Sequence, residues 1–275
     1  LSSFLKRTIS GALFIVLIIG GIILGRFSFF IVFFVLMELT LLEFFRITFK
    51  ARVKPQYLYG MVLGGLIFIM NHLFAIGMLG HYIFLGIIPL ILSIFLIELY
   101  RNHQKPIHNI AFTLLGIIYV AIPFSLLNYF ALSYSSYHIG YKTHILLGYF
   151  IMLWANDSGA YVVGLSIGKN RLFPRISPKK SWEGLVGGLF FTVLASWILS
   201  LVFIELSFFH WAVIGLITAT TGIFGDLVES MFKRSVGVKD SGKIMPGHGG
   251  LLDRFDCVLI SAPIVFVYLE IMMLI

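Results

Sequence analysis

The stretch of the 275-residue chain richest in reactive side chains covers residues 221–256, TGIFGDLVESMFKRSVGVKDSGKIMPGHGGLLDRFD. Asp226, Glu229, Ser230 and Lys233 fall at i, i+3, i+4 and i+7 and so share one face of a helix. Asp253 and Asp256 share a face at the start of the next apolar segment, where a helix N-terminus favours negative charge. Carboxylates this close to the end of an apolar helix are expensive unless they meet a watery cavity, a cation or a partner. Asp226, Asp253 and Asp256, with Glu229, are residue types that hold a hard cation such as Mg²⁺. That ion prefers carboxylate oxygens and keeps water and substrate phosphates as its other ligands. Lys233, Arg234, Lys239, Lys243 and Arg254 suit phosphates. Gly247, Gly249 and Gly250 permit positive φ and close backbone approach to an anion. Carboxylates, cations and glycines in this mixture are what phosphoryl or nucleotidyl transfer uses, because such reactions proceed by positioning and charge neutralisation. The plainer alternative is a charged loop that neutralises itself through salt bridges of little net worth.

A second cluster begins at Asn156-Asp157-Ser158-Gly159, a polar break inside an apolar segment. Such a break suits the lining of a cavity. Asp157 either lines that cavity or pairs with Lys179 or Lys180. The connection that follows carries Lys169, Arg171, Arg175, Lys179 and Lys180 and leads into a glycine-bearing helix start at Gly184. That combination suggests an anion site, against the alternative of a cationic loop with no ligand.

The elements that must position these residues are membrane spans. Hydrophobic residues make up 59% of the chain, charged residues 12%, and the mean hydropathy is +1.01. The charged share is about half that of a soluble domain. Nine apolar segments approach bilayer length, at 8–24, 27–45, 57–79, 82–100, 110–130, 143–165, 184–205, 209–232 and 255–275. The break at Gly25-Arg26 reads as a tight turn between two short spans. With nine spans, every one of the 20 Lys and Arg except Arg26 and Lys142 falls on one side. The positive-inside rule then predicts a cytoplasmic N-terminus and an outer C-terminus. The basic start at Lys6 and Arg7 reads as part of a retained first helix rather than a cleaved signal.

The fold class expected is thus an all-α polytopic membrane protein of about nine transmembrane helices. Residues 1–150 would form the N-terminal helices, about five spans. Residues 151–275 would form a catalytic transmembrane region with two cytoplasmic motif loops, since all five aspartates lie there. Glu38, Glu43 and Glu98 fall near helix ends and read as interfacial charges. Gly60/Gly64, Gly164/Gly168 and Gly184/Gly188 have the small-xxx-small spacing of close helix packing or of a dimer face, so a homodimer is a further expectation. The lone Cys257 excludes an internal disulfide, and the eight scattered histidines show no zinc-type pairing. The net charge of +8 follows from topology and suits anionic lipid head groups. No basic motif with a groove-reading fold is present, so nucleic acid is not an expected partner.

Two runs carry a family resemblance. Ser230-x-x-Lys233-Arg234-x4-Lys239-Asp240-Ser241-Gly242, followed by Pro246-Gly247-His248-Gly249-Gly250-x-x-Asp253-Arg254-x-Asp256, resembles the signature of phosphatidate cytidylyltransferases, the CDP-diacylglycerol synthases. Asp157-Ser-Gly-Ala-Tyr161 and Ser177-Pro-x-Lys180-x-Trp-x-Gly184 resemble a second block of that family. The resemblance covers roughly residues 150–257, and the N-terminal half adds only a compatible hydropathy profile. Asn156 stands where Ala is expected, Met245 where a branched aliphatic is, and Cys257 where Ser is usual.

The resemblance implies a reaction of CTP with phosphatidic acid, giving CDP-diacylglycerol and pyrophosphate in the lipid bilayer. It implies Mg²⁺, with a second, monovalent cation such as K⁺ beside it. On this reading Asp226, Asp253 and Asp256 form the metal centre, with Glu229 and Ser230 assisting. Lys233, Arg234, Lys239, Arg254 and Lys180 bind phosphates of CTP or lipid, helped by Asp240, Gly249 and Gly250. His248 either donates to pyrophosphate or packs beside its glycines. The active site would face the cytoplasm of a bacterial inner membrane, where CTP is found. A transporter is the first rival, but the chain shows no second copy of the motif block. A phosphotransferase that consumes CDP-lipids is the second, and its compact Asp-Gly-x2-Ala-Arg array is missing.

Overall fold

Each of the nine apolar segments is helical in the computed structural model, which describes residues 3–135, 138–245, 247 and 249–274. Among the described residues, eight helical stretches are long and apolar enough to cross a membrane. A ninth helix, α1 (Ser3–Ile23), contributes a shorter apolar stretch, Thr8–Ile23. The chain is an all-α polytopic membrane protein.

The anticipated break after α1 is real. Gly25 sits at φ 119°, a backbone conformation closed to most side chains, and α2 (Arg26–Lys50) starts directly after it. The Ser28 hydroxyl lies 3.0 and 2.7 Å from the Gly21 and Gly25 carbonyls and donates across the turn. Next come α3 (Tyr57–Ala75) and a 3₁₀ turn (His81–Gly86) that runs into α4 (Ile87–Arg101). The following span, Pro106–Ala131, is α5 (Pro106–Gly116), one π-helical turn, and α6 (Ile122–Ala131). Pro106 in its first turn lacks only an N–H that would have had no helical partner. Then follow α7 (Thr143–Ile167), α8 (Trp182–Val202), α9 (Phe208–Ser235) and α10 (Leu252–Leu274).

Two small antiparallel hairpins depart from an all-helical reading. β1 (Leu132–Ser135) pairs with β2 (His138–Tyr141), and β3 (Arg171–Phe173) pairs with β4 (Ser177–Ser181). The second lies in the cationic connection before α8 and carries Lys179 and Lys180 on β4. Ser181 ends that strand and caps α8, its hydroxyl accepting the Gly184 N–H at 3.1 Å.

Contacts divide the chain into two compact units, residues 1–143 with 235–255, and residues 144–234 with 256–275. The core of the first is aromatic, with Phe29, Phe33, Phe45, Phe68, Phe124 and Phe130 fully buried. The Phe45 ring fills the room left by two glycines: a methyl group at Gly60 or Gly116 would come within 2.6 or 2.7 Å of it. In the second unit Trp211 packs against Gly148 in the same way, and the Tyr149 and Ser261 hydroxyls join α7 to α10 at 2.5 Å. The small-xxx-small pairs are likewise used inside the chain. Gly60 and Gly64 face α2, and Gly184 and Gly188 face α7.

Two of the three acidic residues of the N-terminal half, Glu43 and Glu98, are not the water-reaching interfacial charges that their positions suggest, whereas Glu38 stays partly exposed. Glu98 is 4% exposed, and Asn109, Gln56 and Arg101 donate to it at 2.6, 2.9 and 2.7 Å. A buried carboxylate survives only with such donors, and these three tie α4 to α5 and to the start of α3. Glu43 is buried too, at 1% exposure, with the partners given below.

Candidate active site

In the second unit, α9 brings Asp226 and Glu229 to one face, as their spacing requires. α10 meets α9 very closely there. A methyl group on Gly225 would lie 2.3 Å from the Asp256 carbonyl oxygen, so only glycine lets the two backbones approach this far. The result is a group of three carboxylates, Asp226, Glu229 and Asp256, each with an oxygen within 4.8 Å of the other two. Glu229 is fully buried, while Asp226 is one-third exposed.

Two lysines meet this negative charge. Lys180, at the end of the β3–β4 hairpin, places Nζ 2.6 Å from Asp226 Oδ2 and donates to the Ile223 carbonyl at 3.3 Å. Lys180, one of the two cations weighed as a partner for Asp157, reaches Asp226. Asp157 itself is exposed and close enough to act electrostatically on Asp256. Lys233, only 8% exposed, lies 2.5 Å from Glu229 Oε2 one helical turn away. Ser230 completes the face, its hydroxyl donating to Asp226 Oδ1 at 3.2 Å. Asp256 Oδ1 accepts the backbone N–H of Cys257 at 2.7 Å, so the unusual thiol follows the carboxylate without replacing any of its contacts. Arg234 is exposed at the end of α9. Asn156, the other departure, is buried with Oδ1 against Gly188, where a methyl group would approach it to 2.4 Å.

Three oxyanions this close repel strongly unless cations intervene. The donor set therefore fits a hard divalent cation: carboxylate oxygens only, one side open to water, and two ammonium groups already neutralising part of the charge.

Asp253, also assigned to a metal from the sequence, is used within the first unit. Its Oδ2 accepts the backbone N–H groups of Gly250 and Ser241 at 2.7 and 3.0 Å. Glu43 of α2 reaches the same segment, accepting the Leu252 N–H at 2.9 Å and the Ser241 hydroxyl at 3.2 Å. The first turn of α10 thus receives one of its missing acceptors from a helix over two hundred residues earlier. Gly242 and Gly250 make room: a methyl group on either would lie 2.1 or 2.3 Å from a Glu43 oxygen. A backbone bond from Met245 N–H to the Gly249 carbonyl at 3.0 Å closes the turn between them. Lys239, Asp240 and Arg254 are exposed on this segment. His248 lies outside the described residues.

Sequence reasoning read Glu43 as an interfacial charge and left it out of the site; its place beside Phe44 and Phe45 in a mostly apolar helix is the one signal that could have drawn attention to it.

The fold and these clusters define a polytopic membrane protein with a carboxylate–lysine centre on α9 and α10. The profile of the Cytidylyltransferase family matches residues 5–272, and the chain belongs to that family. A phosphatidate cytidylyltransferase of Staphylococcus aureus (strain COL) is 42% identical over 161 residues, 58% of either chain. One of Staphylococcus haemolyticus (strain JCSC1435) is 42% identical over 162 residues, again 58% of either chain. One of Haemophilus influenzae (strain ATCC 51907 / DSM 11121 / KW20 / Rd) is 43% identical over 128 residues, 43% of either chain. The matched stretches therefore span little more than half the length of the staphylococcal relatives.

Proposed function

We propose that the chain is a phosphatidate cytidylyltransferase, transferring CMP from CTP to phosphatidic acid and releasing pyrophosphate. The observation that carries the reading is the Asp226–Glu229–Asp256 group with Lys180 and Lys233 seated on two of its members. The family and the names of its relatives agree with it.

In this reaction a phosphate oxygen of phosphatidic acid forms a bond to the α-phosphorus of CTP. The bond from that phosphorus to the bridging oxygen breaks, and the electron pair leaves with pyrophosphate. The nucleophile is already an anion, so no strong general base is needed. The difficulty is bringing two polyanions together. Mg²⁺, held by Asp226, Asp256 and Glu229, would supply charge neutralisation on the phosphates. A monovalent cation beside it belongs to the same proposal. Lys180, held over the carboxylates by Asp226, is poised to trade that partner for a phosphate oxygen. Lys233 stays buried against Glu229 and fixes its carboxylate on the α9 face. Asp253 and Glu43 keep the Ser241–Leu252 backbone in shape, and Lys239, Arg234 and Arg254 offer phosphate partners. The site is proposed to face the cytoplasm of a bacterial inner membrane. This rests on the side that collects the Lys and Arg residues. The homodimer rests on glycine spacing that the fold uses internally.

The experiment is turnover: purified protein, phosphatidic acid micelles, radiolabelled CTP and Mg²⁺, with Asp256→Asn as control. Labelled CDP-diacylglycerol that needs Mg²⁺ and is lost in the variant is the expected result. No labelled lipid from folded wild-type protein, across chain lengths and monovalent salts, overturns the reading.

A further inference from the structure

Within the first unit a cavity of about 470 Å³ opens beside the motif segment, inside the roughly 300–1,000 Å³ range of small-molecule pockets. Its walls come from three places. Ile9, Leu13 and Leu17 stand at i, i+4 and i+8 on α1, a straight apolar row about 12 Å long at 1.5 Å rise per residue. Leu36 and Leu39 of α2 contribute to the lining beside them. Ile244, Met245 and Leu251 complete it, and these belong to the segment that carries Lys239, Asp240, Gly249, Gly250 and Asp253. Ser10 is the one hydroxyl among the lining residues.

We propose that this trough holds an acyl chain of the phosphatidic acid substrate. The inference rests on the cytidylyltransferase reading above and adds a chain-binding subsite to it. Three features select this occupant. First, the lining is almost wholly apolar and one wall is a straight helical row, which suits a hydrocarbon chain lying along a helix better than a compact ring. Second, the same eight-residue stretch, 244–251, that lines the trough with apolar side chains is flanked in sequence by cations. Lys243 directly precedes Ile244 and is exposed, and Arg254 follows Leu251 by three residues and is exposed. A single amphiphile, anionic at one end and apolar along its length, satisfies both. Third, Met245 is 7% exposed and its backbone is pinned to Gly249, so the wall it forms is anchored while its side chain stays adaptable.

The test pairs turnover with labelling on the full chain in nanodiscs. Leu13→Trp and Leu39→Trp fill the trough, and Leu92→Trp alters an exposed face of α4 as control. Each is assayed with CTP and phosphatidic acid carrying either two eight-carbon or two sixteen-carbon chains. The expected result is a fall of about tenfold in the long-to-short ratio of kcat/KM in both trough variants and no change of ratio in the control. In parallel, a phosphatidic acid with a diazirine near its chain end should label α1 or α2 peptides, and unlabelled phosphatidic acid should suppress the label. An unchanged ratio with labelling that excess phosphatidylcholine suppresses equally well would mean bulk lipid only, and overturns the subsite while leaving the reaction intact. Competed labelling of α1 or α2 by a protein that turns over neither substrate would keep the subsite and overturn the reaction. Neither labelling nor turnover overturns both.

Discussion

Glu43 Oε2 accepts the backbone N–H of Leu252 at 2.9 Å, joining the middle of α2 to the first turn of α10. The carboxylate is 1% exposed and also holds the Ser241 hydroxyl. Glu43→Ala leaves both donors without an acceptor in a buried site and is expected to lower stability by about 1–3 kcal/mol. Glu43→Gln keeps a carbonyl oxygen for Leu252 and is expected to lose less. Thermal unfolding in detergent compares them, and equal melting of all three proteins would remove Glu43 from the support of this segment.

Lys180 and Asp226 make a sharper case. Removing the ammonium in Lys180→Met leaves three close carboxylates with less positive charge nearby. Mg²⁺ should then half-saturate at a severalfold lower concentration, while kcat falls on the order of a hundredfold from the loss of a charge-stabilising donor. Asp226→Asn should move the Mg²⁺ requirement the other way, by tenfold or more. Mg²⁺ titration of turnover reads both. A Lys180→Met variant that needs more Mg²⁺ would contradict this assignment.

Gly225 allows α9 to approach α10. Gly225→Ala puts a methyl group against the Asp256 carbonyl, where the two backbones must part. Misplacing reacting groups by about 1 Å is worth up to a hundredfold in rate. A loss of that order is expected, with little change for Gly80→Ala, whose added methyl group meets nothing within 4 Å. Equal activity of the two variants would show that the contact is not needed.

Asp253 separates a loop-organising role from a metal role. Asp253→Asn retains an oxygen to accept the Gly250 N–H, whereas Asp253→Ala retains none. If the residue organises the loop, the Asn variant keeps substantial turnover and an unchanged Mg²⁺ half-saturation, and the Ala variant loses both stability and rate. A Mg²⁺ requirement raised tenfold in Asp253→Asn would return this carboxylate to the metal.

Much of this was legible from the sequence because membrane spans and helical faces are local properties. Twenty apolar residues announce a span, and the i, i+3, i+4, i+7 pattern is enough to bring Asp226, Glu229, Ser230 and Lys233 to one side of α9. Gly25 announced its turn for the same reason. What stayed hidden depends on pairing at a distance. The β3–β4 hairpin is built from a lysine-rich, proline-containing run with no alternation of polar and apolar residues. Its fold decides that Lys180 meets Asp226. Glu43 looked like one more helix-end charge because its partners lie some two hundred residues away, in backbone groups that no sequence pattern marks.

That separation has a consequence for how the protein is made. Glu43 and the Leu252 N–H are 209 residues apart. At about 5–20 residues per second, the ribosome needs roughly 10–40 s to deliver the second after the first. During that interval α2 sits in the nascent membrane protein with a carboxylate whose partners do not yet exist. The first unit therefore matures late, once the strand of loop that belongs to it has emerged behind three further helices. Chains stalled before residue 252 carry a buried-type acid in α2 without its Leu252 donor, a cost relieved only when that late segment arrives.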